Sequence, residues 1–177
     1  MMLYERLQIA DNNNYKNLKE IITIMKESRD ELNQLKNLNK WNNVKPLRTP
    51  EILEKIEETF RFRIPGVIKA HIKKFNAGTP INNDYVNDRD PTQTVHRFGG
   101  FLSFNNGDPD CFHDALKYFK VSDDELSLFP FGMDLDGNYI CLNKQEEVVF
   151  YDKEKHKETF IAPTFINFMN RLYSENE

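Results

Sequence analysis

At 177 residues, 39% of them hydrophobic and 29% charged, the chain suits one domain with one sizeable core. A formal net charge of −4 and a pI near 5.7 exclude an ordinary nucleic-acid binder, which needs a basic face to neutralise phosphates. No run approaches the roughly eighteen apolar residues of a membrane span and no signal-type apolar region follows the N-terminus, so a cytoplasmic protein away from the membrane is expected.

The polar cluster Asp11-Asn12-Asn13-Asn14 can cap a helical pattern that runs over about 15–40. Leu18, Ile21, Ile22, Met25, Leu32 and Leu35 recur at helical spacing, but Ser28 and Arg29 interrupt the stripe. A single surface helix is the first reading, with a short coiled coil, and hence a homodimer through this helix, as the alternative. Trp41 and residues 42–48 read as a linker, which divides the chain into an extension over 1–48 and a domain over 49–177.

Thr49-Pro50-Glu51 reads as a helix start: Thr caps, Pro presets φ at the first helical position, and Glu favours the positive end of the dipole. Ile52, Leu53, Ile56 and Phe60 form the inward face. Pro65 opens a second helix burying Val67, Ile68, Ile72 and Phe75, and Asn76-Ala77-Gly78 ends it with Gly78 as the residue after the cap. Residues 79–97 show no period and little hydrophobicity, which predicts a long surface loop. That loop carries Asp84, Tyr85, Asp88 and Asp90.

Residues 98–104 return to strand-like sequence, with Gly99-Gly100 predicting a bulge or a close backbone approach rather than a phosphate cradle. Asp110 is placed to cap a helix burying Phe112, Ala115, Leu116 and Phe119. The segments 129–133 and 139–142 flank Asp136-Gly137, a hairpin signal that predicts a type I′ turn with positive φ at both central residues. Segments 148–151 and 159–161 continue the pattern as a meander, and Ala162-Pro163 opens a last helix through Phe165, Phe168, Met169 and Leu172. The fold class is α+β, a central antiparallel sheet packed with helices, plus the long N-terminal helix.

No reaction centre emerges. Asp134-Leu135-Asp136-Gly137-Asn138 begins like a calcium loop, but Gly comes fourth rather than sixth and Gln145 stands where a bidentate Glu is needed. Cys111, His113 and Asp114 lie close together without a second cluster to complete a metal site, and the serines sit in no nucleophile elbow. Cys111 and Cys141 read as reduced, buried small hydrophobes. No enzyme activity, metal or cofactor is expected.

Taken in order, the pieces resemble the SMI1/KNR4 family of the SUKH superfamily over residues 49–173. Glu57 precedes Ile64-Pro65, and Asn76-Ala77-Gly78 ends the next helix. Phe129-Pro130-Phe131-Gly132 then leads into Asp136-Gly137-Asn138, and Ile161-Ala162-Pro163-Thr164-Phe165 stands at the last helix. Departures are Ile64 where Leu is usual, Ile68 where an aromatic is common, Ala77 for Gly, and Asn143 where the strand often ends in Asp. The resemblance implies a non-enzymatic protein-binding module: a bacterial immunity protein, or antitoxin, that neutralises a cognate toxin such as a nuclease, with a regulatory scaffold of the cell-wall signalling type as the alternative. Within that reading Asp84, Tyr85, Asp88 and Asp90 are the expected partner contacts, an acidic surface for a basic partner.

Overall fold

The computed structural model describes residues 39–87 and 89–173. The expected N-terminal helix, and a homodimer through it, lie outside the described residues, apart from Asn39 and Lys40, which are not helical.

The meander is the frame. Strands β7 (Phe129–Asp134), β8 (Tyr139–Leu142), β9 (Val148–Asp152) and β10 (Lys157–Ala162) pair in sequence, each antiparallel to the next. β4 (Val95–Phe101) adds on the far side of β7, and β3 (Asp84–Val86) completes a six-stranded sheet in the order β10-β9-β8-β7-β4-β3. Short pairs stand outside it: β1 (Trp41–Asn42) with β2 (Thr79–Pro80), and β5 (Lys120–Ser122) with β6 (Glu125–Leu126).

Each meander turn is built on an Asx side chain that takes up backbone N–H groups a few residues on. Asp134 Oδ1 accepts from the Asp136 and Asn138 amides at 2.9 and 2.7 Å, Asn143 Oδ1 from Gln145 and Glu147 at 3.0 and 2.9 Å, and Asp152 Oδ1 from Glu154 and Lys155, both at 3.0 Å. The Asp-Gly hairpin is present, but its turn is not type I′. Only Gly137 takes a positive φ, +79°, while the Gly137 amide reaches the Asp134 carbonyl and the Asp134 amide reaches the Asn138 carbonyl. This is the three-residue loop closed by a left-handed residue, and the Asp134 carboxylate is what selects it. Asn143, where Asp is usual, also donates from Nδ2 to Glu147 Oε2 at 2.9 Å, a bond an Asp could not make.

Helices α1 (Ile52–Phe60), α2 (Gly66–Phe75), α3 (Phe112–Phe119) and α4 (Phe165–Asn170) supply the remaining core. α1 starts later than the sequence suggests: Thr49-Pro50-Glu51 forms a turn, and the cap residue Glu51 makes no side-chain capping bond. Nor does Asp110 cap α3. Cys111 occupies that position, and Asp110, at φ +52°, instead accepts the Ser103 amide on its carbonyl. α4 is capped as its sequence implies, Thr164 Oγ1 accepting from the Asn167 amide at 3.1 Å.

Of the fourteen Phe, only Phe75, Phe150 and Phe160 are not fully buried, and these are half-buried. Phe168 of α4 meets Phe98 edge-on at 5.3 Å and Phe165 meets Phe131 at 5.5 Å. Phe119 of α3 packs on Tyr139 and Tyr151 at 5.3 and 4.8 Å. Such offset and edge-to-face pairs add to the burial of the rings themselves. All four residues of β8 are buried.

The strand expected over 98–104 is displaced toward the N-terminus. Pairing ends at Phe101; beyond it Ser103 bridges Cys111 and the Phe104 amide donates to Asn76 Oδ1 at 2.7 Å. The expected bulge lies between Phe98 and Gly100, where the register shifts. At the end of α2 the left-handed residue is Ala77, φ +58°, and not Gly78. Trp41, expected in a linker, lies stacked between Phe75 and Phe101 at 4.8 and 5.0 Å.

Candidate functional site

The residues that carry the family pattern are spent on architecture. Glu57 accepts the Ile64 amide on Oε1 at 2.6 Å and the Lys69 ammonium on Oε2 at 2.7 Å, which ties α1 to the start of α2. Asn76, fully buried, joins three segments: Nδ2 donates to the Lys45 carbonyl at 3.2 Å, Oδ1 takes the Phe104 amide, and its own carbonyl accepts the Lys45 amide at 2.9 Å. A buried polar side chain satisfied in this way specifies packing.

Asp108 forms a second polar knot. Its carboxylate accepts from Ser103 Oγ at 2.8 Å and pairs with Arg48 at 2.7 Å and Lys45 at 3.4 Å. The Ser103 hydroxyl, then Asn105, then the charges of Arg48 and Lys45 hold its carboxyl below the usual value. The calcium-like segment holds no spare ligands on Asp134, whose Oδ2 also accepts from Asn138 Nδ2 at 3.0 Å. Cys111 is buried and donates to Asp114 Oδ2 at 3.4 Å. Among the described residues no group of three or more His, Cys, Asp or Glu is arranged to hold a metal, and no helix is long and apolar enough to cross a membrane.

The four expected contact residues are not one surface. Asp84 and Tyr85 belong to β3 and are buried, 4% and 2% exposed. Asp84 receives Arg97 Nε at 3.0 Å and exchanges both backbone hydrogen bonds with Tyr173, each at 3.0 Å. Tyr85 stacks on His96 and meets Phe168 edge-on; burial, then the charge of Asp134, pushes its hydroxyl far up, so it stays protonated. Asp88 lies outside the described residues. Asp90 is at the surface, and its carboxylate closes a local turn by accepting from the Thr92 amide, the Thr92 hydroxyl and the Thr94 amide.

The sheet curls, and the curl makes a cleft. Its two edges, β3 and β10, come together where Asn87 Nδ2 donates to the Phe160 carbonyl and the Arg89 guanidinium lies over the Phe160 ring at 3.5 Å. Beside this closure a cleft of about 500 Å³ opens. Its lining includes Tyr85, His96, Phe150 and Phe160, with Arg89, Asp90, Asp152, Lys155 and Lys157 among its charged residues. A cavity of that size with an aromatic lining and a few polar groups at the mouth of a curled sheet is a common kind of binding site. A second hollow of about 440 Å³ shares His96 and is lined by Val95 and Leu135, two of the exposed large apolar residues, 39% and 63% exposed.

Of the residues lining this cleft, Tyr85 and Asp90 were named from the sequence, and His96, Phe150 and Phe160 were not. No local signal marks them, since their proximity follows from the curl.

The model of the SMI1 / KNR4 family (SUKH-1) matches residues 48–171. The chain belongs to this family. No curated protein and no solved structure matches it. The SUKH-1 match spans every element from α1 to α4. At the level of the family it makes the chain a SUKH-type immunity or interaction module, whose partner is a protein.

Proposed function

We propose that this SUKH-1 protein is a cytoplasmic immunity protein, an antitoxin that occludes a cognate bacterial toxin, such as a nuclease, by stoichiometric binding and without a catalytic step of its own. The observation that carries the reading is the family match over residues 48–171. The geometry agrees with a binding role: the chemically versatile side chains named above are engaged in holding turns and segment junctions, and the open concave surface is a cleft with a rim of charges. A net charge of −4 favours steering toward a basic toxin at long range. In this reading the partner contacts centre on the cleft whose lining includes Asp90 and Tyr85, and Asp84 acts only through the fold.

The test is genetic and then biochemical. A toxin domain should be encoded beside this gene; expressed alone it should arrest growth, and co-expression of this protein should restore growth through a 1:1 complex. Binding without protection, or the absence of any neighbouring toxin, overturns the immunity reading and leaves a regulatory scaffold.

A further inference from the structure

We propose that the cleft at the mouth of the curled sheet docks an acidic segment of the protein partner: an apolar side chain seats on Phe150 and on His96, which Tyr85 backs, and a neighbouring carboxylate meets Arg89 and Lys157. This rests on the binding role above for the partner's identity and adds the site and its chemistry: the net charge of −4 steers a basic partner as a whole, whereas the cleft's cations take one acidic segment of it.

The floor comes first. Of the three Phe that are only half-buried, two, Phe150 and Phe160, line this cleft. His96 lies between Tyr85 and Phe150, with ring centroids 5.5 and 6.4 Å away, so the floor is a run of aromatic faces. Covering such a surface removes apolar area from water, which favours an apolar occupant.

The rim sets the sign of the occupant. Asp152 and Asp90 are the carboxylates among the described lining residues, and both are already engaged. Asp152 Oδ2 holds Lys155 Nζ at 2.9 Å while Oδ1 takes two backbone amides; Asp90 is occupied by Thr92 and Thr94. Among the described residues neither Arg89, whose guanidinium lies over the Phe160 ring at 3.5 Å, nor Lys157 has a carboxylate partner. Two unneutralised cations above an aromatic floor suit a carboxylate next to an apolar side chain. A guanidinium already fixed by stacking loses little freedom when it binds one. The adjoining hollow shares His96 and carries Val95 and Leu135 beside Arg97, Asp134 and Asp136, so it offers an extended peptide a second, smaller apolar foothold that an isolated anion would not use.

The probe is the blocked peptide acetyl-Glu-Phe-Asp-Leu-amide, titrated into the ¹⁵N-labelled full chain, with acetyl-Gln-Phe-Asn-Leu-amide as its neutral counterpart. The acidic peptide should shift the amides of Asn87, Arg89, His96, Phe150 and Phe160 saturably at millimolar concentration. The neutral peptide, and the Arg89→Gln/Lys157→Gln double variant, should bind at least tenfold more weakly, whereas Lys55→Gln should bind as the parent does. An unchanged thermal midpoint in the double variant establishes that its fold is intact. Equal binding of the two peptides, or shifts confined to other residues, overturns the proposal. With the cognate toxin, rescue that survives the double variant also overturns it while leaving the immunity reading standing. Peptide binding at the cleft in a protein that protects against no toxin sustains the site and removes only the immunity reading.

Discussion

Gly100 lies so close to Gly78 that a Cβ on Gly100 would stand 2.5 Å from the Gly78 carbonyl oxygen, an oxygen that the Phe101 amide already holds at 2.9 Å. This contact joins the end of α2 to β4 at the register shift. Gly100 also has φ +135°, where other residues are strained. Gly100→Ala should therefore cost about 2–4 kcal/mol, the sum of backbone strain and an overpacked contact that only main chain can relieve. Denaturant unfolding measures it, and a loss below about 1 kcal/mol would mean that the two segments can separate cheaply.

Ala77 presents the opposite case. At φ +58° it holds a left-handed conformation that Gly would adopt without strain, and the family pattern often has Gly there. Ala77→Gly should raise stability by about 0.5–1 kcal/mol, the relief of strain being offset in part by the greater freedom of Gly in the unfolded chain. A lower unfolding midpoint in the variant would contradict this account.

Stability should fall in two steps as the solution is acidified. His71 packs against Phe75 and Phe165 at 5.7 and 5.3 Å. Its burial lowers its pKa below the ordinary 6.5, outweighing the Val67 carbonyl contact that favours the charged form. The unfolded chain therefore takes up this proton first, so the His71 contribution is complete above pH 6.5 and declines as pH drops below it. Asp108, held below its ordinary 3.8 chiefly by the Ser103 hydroxyl, contributes stability that is complete above that value and is lost as pH falls through its lower folded pKa. Unfolding midpoints measured from pH 8 down to pH 3 should show both declines. His71→Leu should flatten the first step, and Asp108→Asn should reduce the second without abolishing it, since Glu54, Asp90, Asp123 and Asp152 are also held below their ordinary values.

Local patterns determined much of the fold in advance. The inward faces of the four helices, the meander and the position of the Asp-Gly hairpin are set by the spacing of apolar residues and by turn chemistry, which act over a few residues and so can be read along the chain. The turn type at Asp136-Gly137 was not legible from the pair alone, because the Asp134 carboxylate decides which backbone amides are satisfied. β3 was missed for a different reason. Asp84–Val86 is too short to show a period, and it becomes a strand only through pairing with β4 and through the Tyr173 backbone. That pairing buried Asp84 and Tyr85, which loop composition alone had placed on the surface. The cleft belongs wholly to tertiary structure. Tyr85, Asn87, Arg89 and His96 meet Phe150, Lys157 and Phe160 because the twist of a six-stranded sheet brings its edges together, and sequence spacing carries no record of that closure.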